Sequence, residues 1–336
     1  MGAKEESNIS KIAQALGLSS TTVSRALSGK GRVSEKTKLL ILEYIEKQEI
    51  VPHVRRTQYS DKKTMNICVT LPIEEDYAEL PFFTRILMTF YDYFHARNYN
   101  IIPVKTGQEN ISALKDIIRH HKVDGVLLTR MLENNAEIDF LKEKGVPFVL
   151  TGTSADESVY QVDVQQRSAC RELTNILLKM GIRRTALMCA DLRQSVTQSR
   201  INGYRDAIRE NDISLDRRWI IENAADVNVV EKAIGDILKE QIECVICSDD
   251  SICVAVLNYL REIGVSVPRD LRIASFYNSR ILEEYNASIT SIDFDIREMG
   301  KVAGGMLVRL MDGETCEKKK VLGYHILLKE STKFVS

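Results

Sequence analysis

The stretch SKIAQALGLSSTTVSRALSGKGRVSEKT, residues 10–37, decides the fold of the N-terminal part of the chain. Apolar residues recur at helical spacing up to Leu16, where Gly17 supplies the left-handed conformation that ends a helix. Ser19 can cap a second helix, whose first turns hold small hydroxyl residues and one arginine. Such a surface suits a helix inserted into a DNA groove better than a helix packed in a core.

Two further features complete this N-terminal part. Val23 is predicted on the inner face of the second helix, so that the polar residues around it face outward. A third helix is predicted from Ser34, and Pro52 stops its pattern. Residues 53–64 are polar and cationic, which is typical of a flexible tether. The apolar residues of the third helix follow helical spacing: Leu39, Leu40, Leu42 and Ile45.

Length and charge indicate a DNA-reading module attached to a larger, separate body. The 336 residues suit two or three domains, and 44% apolar with 28% charged residues is ordinary for a globular protein. The net charge is −1, yet residues 1–60 hold ten Lys/Arg against six Asp/Glu, whereas residues 61–336 hold 36 against 41. A basic head on an acidic body is expected when only the head meets nucleic acid.

Cysteine usage and the apolar pattern predict a cytoplasmic protein. The seven cysteines are scattered and suggest no disulfide framework. The start, MGAKEESNIS, lacks the apolar core of a signal peptide. No apolar run approaches the roughly 18 residues that a membrane span needs, so we expect no membrane association.

From residue 65 onward, short apolar runs alternate with helical stretches, which predicts α/β structure with parallel sheets. The segment is long for one doubly wound sheet, so two lobes are expected. The similar patterns of VDGVLLT (123–129) and IECVICS (242–248) support two lobes of one plan. The predicted strands are 66–71, 99–104, 124–129, 147–150, 185–190, 244–248 and 271–276.

Short motifs occur along the chain in a fixed order. In the head they are Ile12-Ala13, Gly17-Leu18-Ser19, Thr22-Val23-Ser24-Arg25 and Val33-Ser34-x-x-Thr37. In the body they are Asp124-Gly125-Val126, Arg200-x-x-Gly203-Tyr204, Asp250, Pro268-x-Asp270-Leu271 and Gly300-x-x-Ala303. In order and spacing, over nearly the full length, these motifs resemble those of the LacI/GalR family of bacterial transcription regulators.

The resemblance implies an N-terminal all-α helix-turn-helix head and a two-lobed, periplasmic-binding-protein-like body of doubly wound parallel sheets. It divides the chain into a DNA-binding domain (1–51), a hinge (52–64) and an effector-binding and dimerisation domain (65–336). Three crossing segments are expected near 160–163, 288–294 and 321–324. They would separate an N-lobe (65–161 plus 293–321) from a C-lobe (162–292 plus 322–336).

For the head, the resemblance implies a second helix in the major groove of DNA. The base readers would be Ser20, Thr21 and Arg25, because hydroxyls bond several bases and arginine can fork onto guanine. Contacts to phosphates, which fix the register, are assigned to Ser19, Thr22, Ser24, Ser34 and Thr37.

The hinge departs from the family pattern Pro-Asn-x-x-Ala-x-x-Leu, in which the leucine wedges into the minor groove. Here the run is PHVRRTQY, residues 52–59, so that Arg56 replaces the alanine and Tyr59 replaces the leucine. We expect Arg55, Arg56 and Tyr59 to meet the minor groove or phosphates, with the two arginines adding affinity but little base specificity.

For the cleft between the lobes, the resemblance implies a ligand contact from Arg200, at the position of a loop arginine. Asp249 and Asp250 follow a predicted strand, at the sheet edge where ligands bind. Asp249 is expected nearer the ligand, and Asp250 is expected to be structural or ligand-orienting. Phe82 and Phe83 either stack on a ligand ring or pack the cleft wall.

Two cleft positions differ from the family pattern. Tyr277 replaces the carboxylate that grips sugar hydroxyls, and Phe294 stands where a polar residue is common. Both side chains are assigned to the effector site. They favour a less polar effector, such as a glycoside with an apolar aglycone, over a simple sugar.

The sequence gives no support for catalysis, a metal or a cofactor. It contains no P-loop, no G-x-G-x-x-G after a strand, no G-x-S-x-G and no H-E-x-x-H. Cys244-x-x-Cys247 falls in a predicted buried strand, which favours core cysteines over zinc or redox chemistry. Trp219 is interpreted as packed and His120-His121 as solvated.

The favoured interpretation is a homodimeric transcription regulator, acting as a repressor, on a pseudo-palindromic operator in double-stranded DNA. A sugar or glycoside-like small molecule in the cleft would change operator affinity allosterically. Two alternatives stay open: control by a protein partner, and a solute-binding receptor, which would need an export signal and no DNA-reading head. The sequence names neither the effector nor the operator, nor whether the effector induces or co-represses.

Overall fold

The computed structural model describes residues 8–28, 33–47, 63–74, 80–132, 134, 136–192, 194–283, 285 and 287–334. The chain separates into a head, Met1–Lys63, and a body, Thr64–Ser336. The predicted hinge residues Arg55, Arg56 and Tyr59 lie outside the described residues.

The head contains the three predicted helices: α1 (Asn8–Leu16), α2 (Ser20–Ser28) and α3 (Glu35–Lys47). Gly17 has a φ of 63°, as the predicted turn between α1 and α2 requires. The apolar faces of the three helices meet in one small core, which contains the buried side chains of Ile12, Ala13, Val23, Ala26 and Ile41.

The apolar residues of α3 lie in a helix as predicted, but they are not all buried. Leu39 and Leu40 are 58% and 47% exposed, whereas Ile41 is fully buried. The side chains of Leu42 and Ile45 lie outside the described part of the structure. Helical spacing alone could not choose the buried face here, because four consecutive apolar residues, 39–42, go round a whole helical turn.

The N-lobe of the body is built on six strands with the order β11-β5-β4-β3-β1-β2, and all of its strand pairs are parallel among the described residues. These strands are β1 (Asn66–Pro72), β2 (Asn100–Thr106), β3 (Gly125–Leu128), β4 (Phe148–Thr151), β5 (Gln161–Asp163) and β11 (Lys319–Val321). Its helices are α4 (Pro81–His95), α5 (Ser112–Arg119), α6 (Ala136–Lys144) and α12 (Ile296–Met311).

The C-lobe repeats this plan with the strand order β12-β10-β9-β8-β6-β7, in which β12 runs antiparallel to β10 and the other pairs are parallel. The strands are β6 (Thr185–Met188), β7 (Ile220–Ile221), β8 (Cys244–Cys247), β9 (Arg272–Ser275), β10 (Thr290–Phe294) and β12 (Tyr324–Leu327). The helices are α7 (Gln166–Lys179), α8 (Ser195–Glu210), α9 (Val227–Lys239), α10 (Asp250–Glu262) and α11 (Arg280–Glu283).

Each sheet buries both of its faces, which explains the continuous apolar runs of the sequence. In β8, Cys244 and Ile246 join one core cluster, whereas Val245 and Cys247 join another on the opposite face. The two thiols of the Cys-x-x-Cys run therefore point away from each other. Burial raises the pKa of both thiols well above its ordinary value, so these are core cysteines.

The chain crosses between the lobes three times. β5 belongs to the N-lobe sheet and is followed by α7 of the C-lobe. β10 belongs to the C-lobe sheet and is followed, after Asp295, by α12 of the N-lobe. Leu322 and Gly323 separate β11 from β12. The first two crossings lie one to a few residues beyond the predicted segments, so residues 162–163 pair in the N-lobe sheet and 293–294 in the C-lobe sheet.

Candidate DNA-reading helix and interlobe cavity

The predicted base readers share one exposed face of α2. Ser20, Thr21 and Arg25 are exposed, while Val23 on the opposite side is fully buried. Ser24 is exposed on the same face. The spacing of these positions, one turn apart along a nine-residue helix, presents hydroxyl and guanidinium groups together at the helix start.

The predicted phosphate contacts include two Ser-x-x-Thr pairs with the same local geometry. The Ser19 Oγ accepts a bond of 3.0 Å from the Thr22 backbone N–H and lies 2.8 Å from its hydroxyl oxygen. In the same way, the Ser34 Oγ accepts a hydrogen bond of 3.1 Å from the Thr37 backbone N–H, and the two hydroxyl oxygens are 2.7 Å apart. Ser19 and Ser34 therefore cap the starts of α2 and α3, and the hydroxyls of Thr22 and Thr37 bond to them. The helix dipole at these starts also favours an anion.

A cavity of about 500 Å³ lies between the two lobes. The N-lobe contributes Pro81 and Arg85 from the start of α4. The C-lobe contributes the segment after β9, the start of α11 and two strand residues, namely Tyr277, Asn278, Ser279, Arg280, Ile281, Glu283, Asp293 and Leu327. A cavity of this size and position can hold a small hydroxylated molecule.

Of the predicted effector contacts, Tyr277 lines this cavity directly. Its side chain is 5% exposed, and burial, together with the nearby Asp250, raises its pKa to about 12. The guanidinium groups of Arg85 and Arg200 oppose part of this increase in pKa. The phenol is therefore neutral at physiological pH and sits in a strongly charged environment.

Arg200 occupies the second turn of α8 and not a loop as its family position suggested. It is only 9% exposed, and its Nε donates a bond of 3.2 Å to Gln166 Oε1 at the start of α7. The following Gly203 lets α7 and α8 approach closely, because an added Cβ there would lie 2.4 Å from the Arg167 carbonyl oxygen.

The two aspartates after β8 differ in their hydrogen bonds, and neither lines the cavity. Asp249 is the N-cap of α10. Its carboxylate accepts a hydrogen bond of 3.0 Å from the Ile252 N–H and one of 3.1 Å from the Ser248 hydroxyl. Asp250 is 3% exposed, and its Oδ2 has no hydrogen-bond partner among the described residues. Burial raises the pKa of the Asp250 carboxyl, and the Asp249 charge adds to that increase.

The aromatic candidates lie in the walls behind the cavity. Phe82 is half-buried and Phe83 is 8% exposed, with an edge-to-face contact of 5.2 Å between their rings. Phe294 is 1% exposed and stacks on Tyr277 at 6.5 Å, with Tyr324 against its other edge. The cavity lining does not include Phe82, Phe83 or Phe294.

Among the cavity residues that sequence reasoning did not assign to the site are Arg85, Asn278 and Ser279. Helical spacing could have found Arg85, which lies four residues after Pro81 on the same face of α4. Asn278 and Ser279 directly follow Tyr277, so the same segment after β9 carries all three.

A second buried polar cluster lies near the carboxyl ends of the N-lobe strands. Arg130 donates through one terminal nitrogen to Glu74 Oε2 and to the Thr106 carbonyl oxygen, both at 2.7 Å. Glu137 on α6 is 1% exposed, and its Oε1 is without a hydrogen-bond partner in the described structure. Burial raises the pKa of Glu137 to about 7, although a bond with Thr106 and the charge of Arg130 lower it.

Comparison with known proteins agrees with both parts of the molecule. The sequence profile of "Bacterial regulatory proteins, lacI family" matches residues 8–53, and that of a "Periplasmic binding protein-like domain" matches residues 174–332. The chain belongs to the lacI family of bacterial regulatory proteins. Members of this family are transcription regulators that bind DNA through a helix-turn-helix, and they are not enzymes.

Curated lacI-family relatives align over almost the whole chain. The transcriptional regulator RegA of Clostridium acetobutylicum is 28% identical over 342 residues, which cover 97% of this chain and 99% of the relative. Catabolite control protein A of Staphylococcus xylosus is 23% identical over 320 residues, covering 94% and 95%.

Solved structures of transcription regulators share the fold. The transcriptional regulator CelR–cellobiose complex superimposes with a TM-score of 0.72 at 24% identity, over 97% of this chain and 100% of that chain. A family member from Enterococcus faecium with bound ribose gives 0.71 at 22% identity, over 81% and 100%. Among the described residues of the present protein, no helix combines the length and apolar character needed to cross a membrane.

Proposed function

We propose that this lacI-family regulator is a repressor whose operator affinity changes when a small hydroxylated molecule binds between the lobes. The supporting observation is the combination of an exposed hydroxyl and arginine face on α2 with a cavity between the lobes that polar and charged side chains help to line. Closure of the cavity around a ligand would rotate the N-lobes and so alter the geometry at the hinges.

In the head, Ser20, Thr21 and Arg25 read base edges, and Arg25 contributes most to discrimination. A guanidinium can donate two parallel hydrogen bonds to guanine, whereas an ammonium group can only act as a point charge. We assign phosphate contacts to the helix starts capped by Ser19 and Ser34, because a helix start with its N–H groups and hydroxyls suits an anion.

Gel shifts with Arg25→Ala and Arg25→Lys test this proposal on an operator and on a scrambled duplex. We expect both variants to lose about tenfold or more in the ratio of operator to scrambled affinity. The lysine variant should retain most of its affinity for the scrambled duplex, because its phosphate attraction persists. An unchanged ratio for both variants would rule out Arg25 as a base reader.

The effector is proposed to be sugar-like. Two structural relatives hold cellobiose and ribose, and the cavity here is lined in part by hydroxyl, amide and charged groups. Calorimetry against sugars, glycosides and their derivatives is the direct test. If no compound in such a panel changes operator binding, control by a protein partner becomes the favoured account.

A homodimer is proposed as the DNA-binding form, because two heads are needed for a pseudo-palindromic site. The outer face of α4 exposes Met88 (52%) and Tyr91 (45%) beside a groove of about 730 Å³. An exposed apolar helix face of this kind is a suitable surface for a second copy.

A further inference from the structure

One face of α4 carries a stripe of exposed side chains that recur every three to four residues. Arg85, Met88 and Asp92 lie on this stripe, and all three are exposed. The groove of about 730 Å³ on this surface is lined by the same three residues and by Pro81, Thr84, Thr89 and Arg297. The stripe therefore runs from a positive charge, through an apolar side chain, to a negative charge.

The two charged ends of the stripe form no ion pair within the part of the chain that the structure describes. Arg85 and Asp92 are two helical turns apart, so that about 10 Å along the helix axis separates them and they cannot pair with each other. Both charges are exposed on the same surface. They are therefore available to charged groups on another molecule that covers the groove.

The stripe is complementary to its own reversed copy. The midpoint between Arg85 and Asp92 falls beside Met88, and each charge lies about 5 Å from it along the axis. If two copies of α4 cross antiparallel at this point, each arginine meets an aspartate, and the two methionines lie between the charged pairs. A parallel crossing would place like charges opposite each other, which is unfavourable. The charge pattern thus selects the antiparallel arrangement.

We propose that α4 packs antiparallel against α4 of a second copy of this chain, across a two-fold axis beside Met88, with Arg85 of each copy paired to Asp92 of the other. Met88 and the neighbouring Tyr91 would supply apolar contact area, and the two ion pairs would fix the orientation of the copies. The inference rests on the proposed homodimer and goes beyond it by naming the pairs that orient its subunits.

Arg85 connects this contact with the cavity between the lobes. Arg85 and Pro81 line both the groove on α4 and the interlobe cavity. An ion pair at Arg85 therefore places a carboxylate of the second copy beside the cavity wall. A shift of the first turns of α4 during lobe closure would change the distance within this pair, and so the contact between the subunits.

Charge reversal and charge exchange in the full-length protein test the proposed pairs. Arg85→Asp and Asp92→Arg each create two like-charge contacts in the dimer, so each should raise the dimer dissociation constant about tenfold or more. The double variant exchanges the charges and rebuilds both pairs. Its dissociation constant should return to within about threefold of that of the parent, because the two substitutions are coupled. Sedimentation equilibrium measures all four proteins.

Arg119→Asp and Glu109→Arg are the matched controls, because each reverses one charge at an exposed position elsewhere on the N-lobe. Neither should change the dissociation constant. High salt screens exposed charges, so it should reduce the difference between the single variants and the parent. Thermal unfolding verifies that every variant folds.

Single variants that dimerise as tightly as the parent, or a double variant that stays as weak as the single ones, would overturn the antiparallel pairing. In both cases a dimeric parent leaves the proposed homodimer standing. A parent that stays monomeric would overturn the pairing and the homodimer together. The dissociation constant of the parent therefore separates failure of the inference from failure of the proposed assembly.

Discussion

Glu137 places a carboxyl group in the interior of the N-lobe, close to Arg130. Its pKa of about 7 in the folded protein exceeds the ordinary value of 4.5, because burial disfavours the charge. The folded state therefore keeps a proton that the unfolded state loses between these two values. Stability from this group is complete below the lower value and is lost as the pH rises through about 7.

We expect Glu137→Gln to raise the free energy of unfolding at pH 8 by about 3 kcal/mol, since it removes the cost of ionising a buried carboxyl. At pH 4 the variant and the parent should be equally stable. Urea denaturation across this pH range measures the difference, with the exposed Glu109→Gln as control. A constant difference at all pH values would contradict the assignment.

The sequence could not reveal this residue. Glu137 lies in AEIDFLKEK, whose alternating charges are typical of a solvent-exposed helix face. Asp249 and Asp250 were correctly placed at the end of a strand, but which of them caps α10 depends on backbone direction at the junction. In both cases the outcome is set by tertiary packing around one side chain, which no local pattern encodes.

At the scale of the elements, the close packing of α7 against α8 requires a glycine at position 203. A Cβ at Gly203 would lie 2.4 Å from the Arg167 carbonyl oxygen and 2.9 Å from the Cys170 Cβ. Because the first of these neighbours is backbone, relief would require the two helices to separate.

Gly203→Ala should therefore reduce the free energy of unfolding by about 1–3 kcal/mol, the usual cost of overpacking a core. Gly235→Ala on α9 is the matched control, because an added Cβ there meets nothing within 4 Å. That variant should be stabilising by up to about 1 kcal/mol through helix propensity. Chemical denaturation compares them, and equal stabilities would contradict the packing argument.

The strands of the body are the part of the structure that the sequence predicts best. All seven predicted strands in the body occur, with ends shifted by one or two residues, because both faces of each sheet are buried and the apolar runs are continuous. The strands β5, β7, β10, β11 and β12 were not predicted as strands. They are short or lie at the crossings and edges, where the apolar run is interrupted by polar residues.

For the whole molecule, assembly is the property to test. We expect the double variant Met88→Glu with Tyr91→Glu to convert a dimer to a monomer, since it places charges on the apolar outer face of α4. Operator affinity should fall with it, because each monomer carries one head. Light scattering after gel filtration and gel shifts measure the two effects. Val227→Glu, at an exposed apolar position on the C-lobe, should change neither.

The plan of two lobes joined by crossings was implied by family resemblance and not by the periodicity of the chain. Alternating strands and helices predict sheets, but they do not say which strands share one. The order β11-β5-β4-β3-β1-β2 joins β5 to a strand that begins more than 150 residues later. Such long-range pairing leaves no trace in a local window.

The three crossings have a consequence for synthesis on the ribosome. The head and the first five strands emerge early, but the N-lobe still lacks α12 and β11, which follow the whole central part of the C-lobe. At about 5–20 residues per second, that interval lasts on the order of 10 s. During that time a finished DNA-reading head precedes an unfinished sensor. Until β11 is made, the edge of β5 that it will cover can pair with another strand.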